Sequence, residues 1–316
     1  MPTSELFPDI IGQSKAKQKL AFYREGFNCT NVIPHLMFIA PKGCGKTTLA
    51  KALGKNLVKR DETKAKPFLE LNCSSIKNVQ HFFDGVVMPY VQDKDVTVLF
   101  DEASELTRDV TMALLTITNP NKDKFTSFTS PEGFTVDFNF RRVSFLFATS
   151  EPHKVFHALL DRLERIELED YTADELGRIV KMNIGEVEFE NDVLIDVAPI
   201  LRGNARSAQK IADNFLTLLK GRDKFTRKDW DEYKKTFNVL PLGLSEGELK
   251  ILRILRETKE CSLTNLAAKT GLTPEAIRRD SESYLQRMSL IEIRQRGRGL
   301  TPKGVKYLGE VNEIRK

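Results

Sequence analysis

The sequence predicts an α/β domain with a parallel sheet, followed by a small helical domain and a C-terminal winged helix-turn-helix. Residues 1–170 alternate short apolar runs with helical patterns, which is typical of a parallel sheet covered by helices. Residues 171–239 carry helical patterns alone. Residues 240–316 contain three short helical patterns followed by a basic segment with two candidate strands.

The first domain contains a candidate phosphate-binding loop. An apolar run, Leu36–Ile39, precedes the loop, and a helix-favouring segment follows it. In this arrangement backbone N–H groups at a helix N-terminus surround the β-phosphate of a nucleotide. The loop residues predicted to bind the nucleotide are Gly43, Cys44, Gly45, Lys46, Thr47 and Thr48. Lys46 is predicted to reach the β and γ oxygens, and Thr47 to bind Mg²⁺.

The loop has one alternative interpretation and one departure from the usual pattern. An ordinary glycine-containing turn before a helix would share part of this pattern. Ala40 stands where the usual pattern begins with glycine, and alanine disfavours a positive φ.

A second motif supports the nucleotide site. The apolar run that begins at Val96 ends in two carboxylates, Asp101 and Glu102. In a P-loop fold, Asp101 is expected at the end of a strand, where it holds Mg²⁺, and Glu102 is expected to polarise the attacking water. The two motifs together predict an ATPase that uses ATP and Mg²⁺.

Further strands and a hairpin complete the predicted α/β domain. The candidate strands are Leu36–Ile39, Pro67–Asn72, Thr97–Phe100 and Val143–Ala148. Between the last two, apolar residues alternate strictly with others at Phe134, Val136, Phe138 and Phe140, and Ser130–Gly133 supplies a turn. This pattern predicts a β-hairpin from Phe125 to Phe140. It is either a sheet extension that buries its phenyl rings or a protruding hairpin that contacts DNA or a partner.

Local sequence patterns mark the helices of the second domain and the linker that follows it. Thr172–Glu175 is a capping box, with Thr at the N-cap and Glu three positions later. Residues 204–220 and 226–237 supply further helices, and Pro241–Gly243 marks a linker.

The C-terminal domain begins at a second capping box, Ser245–Glu248, and its third helix begins at Thr273 and Pro274. That third helix has two arginines against three acids, so base reading by this helix is poorly supported. The candidate wing that follows contains the predicted phosphate contacts, which are Arg294, Arg296, Arg298 and Lys303. The same fold also binds proteins, which is the alternative.

Composition narrows the class of protein. The net charge is +5, and residues 287–316 alone hold eight Lys/Arg against three Asp/Glu, so the surplus lies at the C-terminus. The four cysteines are scattered without a C-x-x-C pair, which predicts neither a zinc site nor a disulfide framework. No apolar run is long enough to span a membrane, so a cytoplasmic protein is expected.

Three segments together resemble the RuvB family of AAA+ motors, which drive branch migration of Holliday junctions. They are Ile10–Gln13, the Asp101–Glu102 pair and the basic segment Arg296–Gly304. The resemblance covers nearly the whole chain in one domain order: a nucleotide domain, a helical lid and a winged helix. It implies domains at 1–170, 171–239 and 240–316.

The resemblance implies roles for five further residues. Ile10 and Ile11 match the segment that packs on adenine, and Thr149 matches the first sensor of the γ-phosphate or attacking water. Arg162 matches the arginine finger that reaches the ATP of a neighbouring subunit. Arg206 matches the second sensor, which reaches from the lid to the γ-phosphate.

The resemblance also implies partners. It predicts a homo-oligomer, a hexameric ring, that moves double-stranded or branched DNA. A RuvA-like junction-binding partner is implied as well, although the Phe125–Phe140 segment shows no clear match to the family's docking hairpin. An AAA+ loader or regulator of a replication or transcription complex, which recruits partners through its winged helix, is the alternative function.

Overall fold

The computed structural model describes residues 6–58, 64–119, 125–129, 135–140, 142–190 and 192–314. The chain divides into two compact units. The first contains residues 1–183 and 203–212, and the second contains residues 184–202 and 213–316. The segment 171–239, which the sequence predicts to be one helical domain, is therefore shared between the two units.

The first unit is built on a parallel sheet, as predicted. Its five strands are β1 Leu36–Ile39, β2 Phe68–Asn72, β3 Thr97–Asp101, β6 Ser144–Thr149 and β7 Glu164–Glu167. Their order in the sheet is β2-β3-β6-β1-β7, and neighbouring strands are parallel. The strand β7 was not predicted, because a charged edge strand with one buried residue, Ile166, lacks a continuous apolar run.

Both faces of this sheet are buried. Alternate residues of β3 point to opposite faces, so that Val98 and Phe100 pack in one core and Leu99 packs in the other. The ring of Phe100 stacks on that of Phe147 in β6, with 4.9 Å between ring centroids. Covering on both faces explains why the central strands read as continuous apolar runs.

Helices surround the sheet of the first unit. The bounds are α1 Ser14–Thr30, α2 Lys46–Asn56, α3 Val79–Phe82, which continues as a π-helix at Phe83–Val91, α4 Arg108–Ile117, α5 His157–Leu160 and α6 Ala173–Ile184. Short 3₁₀ turns lie at Cys73–Ser75, Ala103–Glu105 and Pro152–Lys154. The predicted capping box of α6 is confirmed, since Thr172 N–H donates to Glu175 Oε2 at 2.8 Å and Glu175 N–H to Thr172 Oγ1 at 3.2 Å.

The predicted hairpin is present as two antiparallel strands, β4 Phe125–Thr129 and β5 Thr135–Asn139. Phe138 and Phe140 are buried, and Phe138 packs against Phe83 with 5.3 Å between ring centroids. The base of the hairpin therefore buries phenyl rings in the core, as the first interpretation expects, but β4 and β5 form a two-stranded sheet of their own and do not extend the parallel sheet. The predicted turn and Phe134 lie outside the described residues.

The second unit contains mainly short helices. The bounds are β8 Glu188–Phe189, α7 Val193–Val197, α8 Ala205–Leu219, β9 Lys224–Phe225, α9 Arg227–Thr236, α10 Glu246–Thr258, β10 Glu260–Cys261, α11 Leu263–Thr270, α12 Pro274–Ala276, a π-helix at Ile277–Glu282, α13 Ser283–Arg287, β11 Ile291–Arg294, β12 Gly297–Leu300 and α14 Pro302–Ile314. Residues 205–212 of α8 belong to the first unit. Further 3₁₀ turns lie at Ala198–Leu201 and Pro241–Gly243.

The C-terminal part of this unit is the predicted winged helix-turn-helix. Both of its predicted N-caps are confirmed, by the capping box of Ser245 and Glu248 and by Thr273, whose Oγ1 accepts from Ala276 N–H at 3.2 Å. Strands β10, β12 and β11 form an antiparallel sheet in that order. Because Arg294 pairs with Gly297, the wing is a tight two-residue turn at Gln295 and Arg296.

Candidate nucleotide site and nucleic-acid surface

The candidate phosphate loop lies between β1 and α2, at the carboxyl edge of the sheet. Gly43 and Gly45 have φ of 84° and 88°, which favours glycine at both positions. A Cβ at Gly43 would come within 2.0 Å of the Asn204 side chain. Ala40 is not among the described residues with positive φ, so its side chain is compatible with this loop.

Two predicted Mg²⁺ ligands meet beside the loop. Thr47 Oγ1 donates to Asp101 Oδ2 at 2.8 Å, and Asp101 Oδ1 accepts from Glu102 N–H at 3.0 Å. Asp101 is the last residue of β3, which explains how the strand brings its carboxylate to the loop. A hydroxyl and a carboxylate are the oxygen ligands that Mg²⁺ prefers, so these side chains fit that ion.

The Lys46 ammonium is held within the loop. Its Nζ donates to the carbonyls of Ala40 and Pro41 at 2.8 and 3.1 Å, and the residue is 8% exposed. Burial lowers the pKa of Lys46, whereas the nearby carboxylates of Glu102 and Asp101 oppose that shift. The same loop thus contains a buried cation facing two acids, which suits a ligand that brings both phosphate and metal.

A cleft of about 150 Å³ joins these groups. The residues that line it are Lys42, Gly43, Gly45, Lys46, Thr47, Thr48, Asp101, Glu102, Ala205, Arg206 and Gln209. The structure therefore brings the predicted loop, the two acids and the predicted second sensor to one place. Gln209 was missed by the sequence analysis, although it lies one helical turn after Arg206 and so shares its face.

The segment that contains Arg206 touches the loop directly. Ala205 N–H donates to Gly43 O at 3.0 Å, and Asn204 Nδ2 donates to Lys42 O at 3.2 Å. Asn204 Oδ1 also accepts from Arg206 N–H at 2.9 Å, and so caps the start of α8. The arrangement fixes the first turn of α8 against the phosphate loop.

The predicted adenine-contacting residues lie at an adjoining cavity. Ile10 and Ile11 are partly buried and line it together with Thr48 of the loop and the buried Tyr171, which the sequence had not indicated as a site residue. This cavity has a volume of about 60 Å³. Gln13 anchors the segment through a reciprocal pair of hydrogen bonds with the backbone of Glu169, at 2.8 and 3.0 Å. The apolar side chains of Ile10 and Ile11 thus lie beside the phosphate loop, where packing on a base was expected.

Two of the predicted catalytic residues lie outside the lining of the cleft. Thr149 is fully buried at the end of β6, where its Oγ1 accepts from Glu151 N–H at 3.0 Å. Arg162 follows α5, and its Nη1 donates to Ala158 O at 2.6 Å, whereas its Nε is buried and has no hydrogen-bond partner among the described residues. β6 lies between β3 and β1 in the sheet, so Thr149 lies at the same carboxyl edge as Asp101.

The four predicted phosphate contacts of the wing differ in their surroundings. Arg298 donates twice to Glu282, at 2.7 and 3.1 Å, and both side chains are largely buried. Arg294 donates to Glu292 at 2.8 Å and to the carbonyl of Leu300. Arg296, at the turn, and Lys303, at the start of α14, are exposed. The wing therefore presents fewer available cations than its sequence indicates.

The fold and site match two known protein domains. Residues 36–171 match the family described as ATPase family associated with various cellular activities (AAA). Residues 241–309 match the RuvB C-terminal winged helix domain. The chain thus contains an AAA domain followed by a winged helix domain of the RuvB type.

Full-length relatives agree with both domain matches. The Holliday junction branch migration complex subunit RuvB of Kosmotoga olearia is 25% identical over 95% of this chain and 88% of its own. The subunit of the same name from Pseudothermotoga lettingae is 27% identical over 97% and 89%. The structure of the Thermotoga maritima RuvB Holliday junction branch migration motor aligns with a TM-score of 0.74 at 23% identity, covering 95% of each chain. Over nearly its whole length the chain is therefore similar to RuvB subunits.

Within the described residues, no helix combines the length and the apolarity that crossing a lipid bilayer requires.

Proposed function

We propose that this chain is an ATP-dependent motor that moves double-stranded DNA and promotes branch migration at Holliday junctions. The observation that carries the proposal is the combination of a complete phosphate site with a RuvB-type winged helix in one chain. Similar proteins over nearly the same length are named as subunits of the Holliday junction branch migration complex.

Thr47 and Asp101 are the proposed holders of Mg²⁺, and Lys46 is the proposed partner of the β and γ oxygens. Their support is the 2.8 Å contact between hydroxyl and carboxylate and the burial of the ammonium in the loop. The chemistry that Mg²⁺ supplies at such a site is neutralisation of phosphate charge. Backbone N–H groups of the loop, together with the N-terminus of α2, add further positive potential.

Glu102 is the proposed group that polarises the attacking water, and Thr149 is the proposed first sensor. Glu102 lines the cleft, and its backbone lies in the left-handed region with φ of 54°. A non-glycine residue in that conformation is uncommon, and such strain is concentrated at functional sites. The backbone hydrogen bond from Glu102 to Asp101 holds the two acids in a fixed relation.

Arg162 is proposed to act on the ATP of a neighbouring subunit, in a ring that is expected to be hexameric. Its absence from the lining of the cleft in its own chain is compatible with that role. Arg206 is proposed to sense the γ-phosphate within the same chain, since it lines the cleft beside Lys46. Nucleotide turnover would then alter the first turn of α8.

DNA is proposed to contact the exposed cations of the winged helix, chiefly Arg296 and Lys303. Such contacts go to phosphates and specify little sequence. Arg294 and Arg298 would contribute only by exchanging their present acidic partners for phosphate. A RuvA-like junction-binding partner and a cytoplasmic location are further parts of the proposal.

A loader or regulator that recruits a protein through its wing is the second candidate. The observation that favours it is Ile293, which is 59% exposed on β11 beside the two ion-paired arginines. An exposed apolar side chain next to satisfied charges suits a protein surface better than a phosphate backbone.

DNA-stimulated ATP turnover coupled to displacement of a triplex-forming strand distinguishes the two functions. A motor is expected to release the third strand from a duplex in an ATP-dependent reaction. A loader is expected to bind DNA in a nucleotide-dependent manner and leave the third strand in place.

A further inference from the structure

Arg202 is held by four contacts within the second unit. Its two terminal nitrogens donate to the two carboxylate oxygens of Glu248, and its Nε donates to Gly243 O at 3.0 Å. The guanidinium carbon also lies 4.0 Å from the ring centroid of Tyr284. A bidentate carboxylate and an aromatic face together use the planar geometry that distinguishes arginine from lysine.

These partners are themselves fixed parts of the winged helix. Glu248, 1% exposed, closes the capping box of α10 with Ser245. Tyr284 donates its hydroxyl to Leu242 O at 2.7 Å, which joins the third helix to the linker. A Cβ at Gly243 would lie 2.3 Å from Ile200 O, so this glycine is required for the close approach of linker and residue 200. Arg202 thus contacts the first helix of the winged helix domain through Glu248, the third helix through Tyr284 and the linker through Gly243.

The residues that follow Arg202 in the chain contact the nucleotide site. Gly203 alone separates Arg202 from Asn204 in sequence, and Gly203 O accepts from Tyr171 N–H at 3.4 Å. Asn204 and Ala205 then contact Lys42 and Gly43 of the phosphate loop. The anchor to the winged helix and the anchor to the loop are therefore close neighbours in the sequence.

We propose that Arg202 is the coupling residue that transmits the nucleotide state to the winged helix. A change at the phosphate loop displaces Asn204 and Ala205, and the backbone passes this change to Arg202. Because Arg202 is bound to Glu248, Gly243 and Tyr284 (the Arg202 clamp), a displacement of Arg202 then moves these parts of the winged helix and its linker. Without the clamp, the loop would still bind nucleotide, and the winged helix would no longer respond. The use of this coupling for moving DNA rests on the proposed function.

The chain offers a matched control for the Arg202 clamp. Arg222 also donates twice to the acid of a capping box, to Asp229 at 3.3 and 2.6 Å, and Thr226 is the N-cap there. Asp229 is 5% exposed, which is similar to Glu248. The Arg222 pair thus shares its chemistry, the burial of its acid and its unit with the Arg202 pair, yet it does not adjoin the segment that contacts the phosphate loop.

The test is hydrogen exchange of α10, Glu246–Thr258, in the full-length protein with and without a non-hydrolysable ATP analogue. In the wild type and in Arg222→Ala, the analogue is expected to change the exchange rate of the α10 amides by about fivefold or more, which is the lower end of common coupling strengths. Arg202→Ala is expected to abolish this change, while its affinity for the analogue changes by no more than the lost coupling, about fivefold. Arg202→Lys should restore it only in part, because lysine lacks the planar fork.

Glu248→Gln provides a second variant if Arg202→Ala is poorly folded. Its amide oxygen can still accept from Ser245, so the helix cap is kept while the charge that binds Arg202 is removed. The nucleotide-dependent change in the exchange of α10 should be smaller in Glu248→Gln than in the wild type. The double variant Arg202→Ala/Glu248→Gln should lose no more of this change than Arg202→Ala alone, because both substitutions remove the same interaction.

Three results would overturn the proposal: a full nucleotide response in Arg202→Ala, an equal loss of response in Arg222→Ala, or no response in the wild type. Failure of the proposed function is a different result. It would appear as absent strand displacement in a wild type whose exchange still responds to nucleotide through Arg202.

Discussion

Thr47 and Asp101 are 54 positions apart in the chain, yet their side chains form a hydrogen bond of 2.8 Å. The contact depends on the sheet, because β1 leads into the loop and β3 ends at Asp101. Between them lies β6, which ends at Thr149. Three parallel strands therefore deliver a loop, a pair of acids and a buried threonine to a single edge, as is usual for ligand sites in open α/β sheets.

Lys46→Ala is expected to weaken nucleotide binding by about 10- to 100-fold or more, since a hydrogen bond to a charged group is worth roughly 1.5–3 kcal/mol. Titration with a fluorescent ATP analogue measures the affinity. Lys51→Ala is the control, because Lys51 lies on the same helix and pairs with Glu70 at 2.5 Å. Similar affinities for the two variants would remove Lys46 from the binding site.

Glu102→Gln is expected to bind ATP, hydrolyse it very slowly and accumulate assembled rings. The amide keeps the size of the side chain but cannot polarise water as a carboxylate does. Steady-state turnover and sedimentation measure the two effects. Glu105→Gln, three positions along and exposed, is the control and should behave as wild type. Normal turnover in Glu102→Gln would exclude its catalytic role.

Arg162→Ala tests action between subunits. The variant should bind ATP well, and its turnover should fall by about 10³-fold or more if Arg162 is an arginine finger. Mixing it with Lys46→Ala should restore part of the activity, because a mixed interface can pair an intact loop with an intact finger. If mixed rings form and no activity returns, Arg162 does not act in trans.

Arg296→Ala and Arg298→Ala should have different effects on the wing. Arg296 is exposed, so its removal should weaken binding to unrelated duplexes equally and lower the salt dependence of log K by about 0.9 for each phosphate that is no longer neutralised. Arg298→Ala should instead lower the thermal unfolding midpoint, because it leaves the carboxylate of Glu282 buried without its partner. Basal ATP turnover should survive in both. An unchanged salt slope in Arg296→Ala would favour a protein-binding wing.

The pair of Arg222 and Asp229 predicts a pH-dependent stability difference. The hydrogen bond from Arg222, with further bonds from Thr226, lowers the pKa of Asp229 from 3.8 to about 2. Because the pKa is lowered on folding, this stabilisation is fully present above about pH 4 and disappears as the pH falls towards 2. Arg222→Ala should therefore lower stability at pH 7, where the Asp229 carboxylate is charged. Denaturant midpoints measured from pH 7 to pH 2 should show the difference between wild type and variant shrinking below pH 4; a difference independent of pH would contradict this origin.

The sequence predicted the parts of the fold that local patterns determine. Strand β1 has the predicted bounds, and β3 extends one residue further, to Asp101. Both strands are apolar because they are buried on both faces. The capping boxes at Thr172 and Ser245 were recognised from spacing alone, whereas the one at Thr226 was missed because its acid is Asp229 rather than Glu.

Contacts between distant residues could not be predicted in the same way. The wing arginines appear as free cations in the sequence, but Arg298 finds Glu282 only once the third helix packs against the sheet of the wing. The contact of Asn204 with Lys42, 162 positions away, likewise depends on tertiary packing. The same is true of the Arg202 clamp. Sequence patterns thus identified candidate side chains, whereas their contacts with distant residues depend on tertiary packing.

The most direct test of the proposed motor uses a synthetic four-way junction whose core can migrate, beside one whose core is fixed by sequence. The wild-type protein with ATP and Mg²⁺ should convert the mobile junction into two duplexes and leave the fixed junction intact. Glu102→Gln should bind the mobile junction without converting it. Active ATP turnover on junction DNA, with the mobile junction left unconverted, would contradict branch migration as the function of this chain.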